Sequence, residues 1–68
     1  MNTTAIRTTQ TTIMAVESLN DVLAMIESAD ANGRSFIVVH DSEDQTAVML
    51  NIHFITIVSQ IDGDDLLE

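Results

Sequence analysis

The sequence predicts a small α+β domain in the order β-α-β-β-β, with one amphipathic helix packed on one face of a three- to four-stranded sheet. Three observations lead there: a capped segment of helical periodicity at 18–33, a threonine-rich segment before it, and two β-branched apolar segments after it. With 68 residues, the chain reads as a single domain, 1–68, near the size at which one hydrophobic core becomes marginal. Residues 1–4 and 62–68 are expected as flexible tails.

Residues 5–16, AIRTTQTTIMAV, contain few helix formers and follow the start of a run of six threonines between positions 3 and 12. Threonine suits a half-exposed pleated surface, so this segment is predicted as the first strand. Ile6, Met14 and Val16 share one side-chain parity, with Thr8, Gln10 and Thr12 between them. The early half is expected to be frayed or at a sheet edge.

The helix signal is the clearest in the chain. Ser18 followed by Asp21 forms a partial capping box, a hydroxyl for an orphan amide and a carboxylate near the positive end of the helix dipole. Leu19, Val22, Leu23, Ile26 and Ala29 then recur at helical spacing, one apolar stripe facing a core. Glu17, Asn20, Asp21, Glu27 and Asp30 line the other side. Asn32-Gly33 supplies the stop, because glycine reaches positive φ without a steric penalty.

Ser35 to Asp41, SFIVVHD, is the next predicted strand. Phe36-Ile37-Val38-Val39 is continuously apolar, which predicts burial on both faces. Residues 41–45, DSEDQ, are a polar connection of hairpin length.

The most apolar stretch follows, TAVMLNIHFITIVSQI at 46–61. It is too short and too often interrupted, at Asn51, His53 and Ser59-Gln60, to span a membrane as a helix. Its parity settles its form. Val48, Leu50, Ile52 and Phe54 occupy even positions, whereas Ile55, Ile57 and Ile61 occupy odd ones. One uninterrupted strand keeps one parity, so a reversal or bulge is required, and Asn51 is the best turn former nearby. The prediction is a strand over 46–50, a break at 51–53 and a strand over 54–61.

A strand–helix–strand unit whose strands share a sheet should be a right-handed crossover with those strands parallel. One helix covers one layer, so the other apolar sheet face must be covered by self-association or by curling into a small barrel. Phe36, Val38, Phe54, Thr56 and Val58 are the candidate oligomer surface. Met14, Met25 and Met49 are expected as core fillers.

Charge and missing residue types narrow the function classes. Eleven acidic residues against Arg7 and Arg34 give a net charge of −9, which argues against nucleic acid or an anionic membrane as direct ligand. The chain has no cysteine, excluding disulfides and thiolate metal sites. Residues 1–12 hold no apolar signal region, so a cytoplasmic location is the default expectation. His40, Asp41 and His53 do not form a spacing that defines a metal site. Asp62-Gly63-Asp64-Asp65 is too short, with its glycine too early, for a calcium loop. No nucleophile motif or phosphate-cradling glycine loop is present, so no enzyme activity and no cofactor are expected. Arg7 and Arg34 are expected to pair with carboxylates across the fold or a subunit boundary.

The expected function is a non-enzymatic protein-interaction module that is homo-oligomeric through its apolar sheet surface. The alternative is an acidic inhibitor, antitoxin-like or nucleic-acid-mimicking protein that binds a basic partner. Its candidate surface is Glu17, Asp21, Glu27, Asp30, Asp41, Glu43 and Asp44.

Overall fold

The computed structural model describes residues 2–62. It contains one helix and five strands, in the order β1 (Asn2–Thr8), β2 (Thr12–Ala15), α1 (Leu19–Ala31), β3 (Phe36–His40), β4 (Ala47–Asn51), a single 3₁₀ turn (Ile52–Phe54) and β5 (Ile55–Asp62). The strands form a three-stranded sheet, β2-β1-β5, and a two-stranded sheet, β3-β4. Every ladder is antiparallel.

The first expected strand is in fact a hairpin, so the order is β-β-α-β-β-β rather than β-α-β-β-β. Arg7 pairs with Thr12 and Ile6 with Ile13, which leaves Thr9-Gln10 as the reversal. No glycine or asparagine marks it. Instead the Thr8 hydroxyl accepts from the Gln10 and Thr11 amides and donates to the Thr11 carbonyl, while the Thr8 amide donates to the same carbonyl at 2.7 Å. A threonine side chain thus supplies the turn bonds that asparagine or aspartate more often provides. Thr3 and Thr4, assigned to the N-terminal tail from sequence, lie in β1, and Thr4 is fully buried.

The hairpin also removes the expected parallel crossover. By doubling back, β2 enters the helix in the opposite direction, and its end meets β3 through one antiparallel bridge, Ala15 to Asp41. Two further backbone bonds fasten that junction: Val16 N–H to the His40 carbonyl and Ser42 N–H to the Met14 carbonyl, each 2.8 Å.

Helix α1 begins and ends where its caps dictate. The Ser18 hydroxyl accepts from the Asp21 amide at 3.2 Å. At the other end Gly33 has φ of 70°, and its N–H donates to the Asp30 carbonyl while Arg34 N–H donates to the Ala29 carbonyl. That pair of bonds is a Schellman motif. Val22 and Ala29 are buried, and Met25 and Ile26 pack against them. Leu23, expected in the stripe, is 43% exposed.

The core is small: Ile6, Ala15, Val22, Ala29, Ile37, Val39 and Leu50, flanked by half-buried neighbours that include Ile13, Ile52, Ile55 and Val58. The expected break near 51–53 falls at Ile52–Phe54, one residue later, because Asn51 still pairs within β4. The Asn51 side chain accepts from the His53 amide at 2.9 Å and caps the 3₁₀ turn. Beyond that turn the chain does not form a hairpin with β4; β5 crosses to the other sheet and pairs with β1. The register shifts between Arg7 and Thr8, opposite Ile57 and Ile55, which leaves Thr56 as the extra residue of a bulge. Of the expected C-terminal tail, 62–68, Asp62 instead ends β5 opposite Asn2, and 63–68 lie outside the described residues.

Candidate functional site

The candidate site is built on the outward face of the β3-β4 hairpin. Side chains in β3 alternate strictly: Ile37 and Val39 are buried, and Phe36, Val38 and His40 are exposed. The expectation that 36–39 is buried on both faces therefore does not hold within one chain. Cross-strand partners share a face, so Val38 stands beside Met49 and His40 beside Ala47. Phe36 is 51% exposed, Val38 46% and Met49 66%. Met49 is thus a surface residue rather than a core filler.

Phe54 projects half-exposed from the 3₁₀ turn. A cleft of about 350 Å³ lies between the β1-β2 reversal and β4, bordered by Phe36, Met49, Phe54, Thr9 and Thr11. No charged residue lines it. The structure therefore brings Phe36, Val38 and Met49 onto one face, with Phe54 across the adjoining cleft. It does not bring Thr56 and Val58 there. Val58 pairs with Ile6 and packs against the core, while the Thr56 hydroxyl donates to the Arg7 carbonyl at the bulge. The bulge shifts the parity of β5, so sites counted along an unbroken strand land on the wrong side.

The candidate acidic surface separates into two roles. Asp21, Glu27, Asp30 and Glu43 are exposed. Three others serve local structure. The Asp41 carboxylate accepts from the Glu43 amide and the Asp44 carboxylate from the Thr46 amide, ordering the β3-β4 connection. Hydrogen bonds from the Thr46 side chain and backbone hold the Asp44 carboxyl below the usual aspartate value.

Glu17 has the most structural work. Its two carboxylate oxygens take the His40 backbone amide at 2.9 Å and the His40 ring Nδ1 at 2.7 Å. Its backbone carbonyl accepts the buried Thr4 hydroxyl at 2.7 Å. One residue therefore ties β1, the loop before α1 and the end of β3. Partial burial works to raise the Glu17 carboxyl, and the His40 hydrogen bonds outweigh it, leaving the group below its ordinary value. Spacing gave no sign of this pair, because 23 residues separate its members. It is the carboxylate–imidazole contact found among the described residues, and the carboxylate partners expected for Arg7 and Arg34 are not seen there.

His40 is engaged with Glu17, while His53 sits exposed on the 3₁₀ turn. Among the described residues no group of three or more histidine, cysteine, aspartate or glutamate side chains comes together. None of the described helices is long and apolar enough to cross a membrane. No family model matches the chain, and neither a curated protein nor a solved structure matches it. The described residues define a small α+β domain of two antiparallel sheets, with an apolar face on β3-β4 left uncovered among them.

Proposed function

We propose that this chain is a non-enzymatic interaction module that associates with further copies of itself through the outer face of β3-β4. The observation that carries this reading is the cluster of Phe36, Val38 and Met49, large apolar side chains about half exposed or more on adjacent strands. Burying apolar area contributes roughly 25 cal/mol per Å² removed from water. Net charge opposes a like partner, and the uncharged side chains of this face are what let one approach. The chain carries −9, yet the hairpin face presents Phe36, Val38, Ala47 and Met49, with the titratable side chain of His40 at one end. Two copies would meet there on apolar side chains, with the repulsion between their net charges weakened by salt.

Size-exclusion chromatography with light scattering, over a range of protein concentrations, tests the proposal. The expected mass is a multiple of the 7.4 kDa chain. Val38→Asp or Met49→Glu should shift it to a single chain while circular dichroism is retained. A single-chain mass at every concentration would overturn the reading.

The second reading, an acidic protein that occupies a basic partner, is supported by the net charge and by the exposed carboxylates of Asp21, Glu27 and Asp30 on α1. It predicts partner retention that weakens as salt rises. Retention indifferent to salt would remove its support.

A further inference from the structure

We infer that Asn32-Gly33 is a site of spontaneous deamidation, gated by fraying of the last turn of α1, whose product loosens that turn further. The chemistry needs only water. The Gly33 backbone nitrogen, having lost its proton, attacks Asn32 Cγ. The new C–N bond closes a five-membered succinimide, the Cγ–Nδ2 bond breaks, and ammonia leaves with the proton. Water then opens the ring at one of its two carbonyls, giving an aspartyl or an isoaspartyl linkage. Glycine is the most permissive residue to follow the asparagine, because no side chain shields its nitrogen.

Four asparagines occur in the chain, and only Asn32 precedes glycine; Asn2, Asn20 and Asn51 precede Thr3, Asp21 and Ile52. Asn32 and Gly33 are both exposed, and a Cβ placed on Gly33 would meet nothing within 4 Å. Water therefore has free access to the site. Helix capping engages both reacting groups in other hydrogen bonds. Asn32 Nδ2 donates to the Ser28 carbonyl at 2.7 Å, and Gly33 N–H donates to the Asp30 carbonyl at 3.2 Å. Ring closure must break both bonds, so the folded chain reacts through a frayed state.

The product is worse at holding the turn than the reactant. A carboxylate at position 32 cannot replace the side-chain N–H donated to the Ser28 carbonyl, which then keeps only the backbone N–H of residue 32 at 3.1 Å. It also places a second negative charge beside Asp30, at the negative end of the helix dipole, where no basic residue lies in the last turn. The loosened turn adjoins the apolar face, since Ala29, Arg34, Phe36 and Ile37 border one cavity of about 190 Å³ at the junction of α1 and β3.

Tandem mass spectrometry of the whole chain, incubated in mildly alkaline buffer with and without denaturing urea, provides the test. In urea, Asn32 should convert well ahead of Asn20 and Asn51, with a succinimide detectable on the way. In the folded chain conversion should run roughly tenfold or more slower, since two ordinary hydrogen bonds must open first. Equal rates in the two conditions, or an Asn32 no faster than its sisters in urea, would overturn the inference. Melting of Asn32→Asp against Asn32→Gln reads the product effect, because both lose the native amide and only one adds charge. Asn32→Asp should melt lower at neutral pH and converge with Asn32→Gln in acid. Identical melting at neutral pH would refute the loosening step.

Discussion

Ile37 and Val39 face one way from β3, and Phe36 and Val38 face the other. The four side chains are chemically alike and consecutive, yet the first pair is at most 5% exposed and the second about half exposed. What separates them is supply. One helix and the second sheet cover the inner face, and the described chain has no further element for the outer one. Composition sets how much apolar surface exists, and the number of layers sets how much of it a single chain can bury.

The largest expected effect probes the inner side. Ile37→Ala should cost about 2–5 kcal/mol in urea unfolding, through lost transfer energy and the cavity left behind. Phe36→Ser on the outer side should change the stability of an isolated chain by no more than about 0.5 kcal/mol. It should nevertheless lower self-association in dilution experiments. If the two substitutions destabilise equally at a concentration where the chain is single, the two faces are not distinct.

A smaller effect is expected at the helix cap. Ser18→Ala removes the acceptor for the Asp21 amide and should lower stability by about 1 kcal/mol. Chemical denaturation checks it, and Ser18→Asp should restore most of the loss.

The smallest effect is the pH dependence of the Glu17–His40 tie. The Glu17 carboxyl is held below its ordinary value of 4.5, so its ionised form is favoured by folding. Its contribution is therefore fully present above about pH 4.5 and fades as the pH falls through the lowered folded value. The His40 side is about half exposed, which limits the contact to the range of solvent-exposed pairs, about 0.2–1 kcal/mol. Glu17→Gln should be modestly less stable at neutral pH and should show a shallower loss of stability in acid. A wild-type-like acid slope in that variant would assign the pH dependence to other carboxylates.

Legibility in the sequence followed the range of the interaction concerned. The helix, its Ser18 start and its Gly33 stop were readable because each signal sits within a few residues of the group it serves. The break near Asn51 was readable because parity is local arithmetic. The β1-β2 reversal was missed because Thr8 performs with a hydroxyl what turn signatures seek in glycine or asparagine. Among the candidate surface residues, Phe36, Val38 and Phe54 are about half exposed in the single chain. Val58 was misplaced because the bulge at Thr56 forms only when β5 meets β1, 49 residues away.

The sequence by itself determined the periodicities, the caps, the acidic charge and the excess of apolar strand surface, all of which are properties of neighbouring residues. Only the tertiary structure decided which strands pair, which side of β3 remains uncovered and that Glu17 joins His40. Those depend on how the chain crosses between its two sheets, and pairing between distant segments is governed by closure and packing that no local pattern encodes.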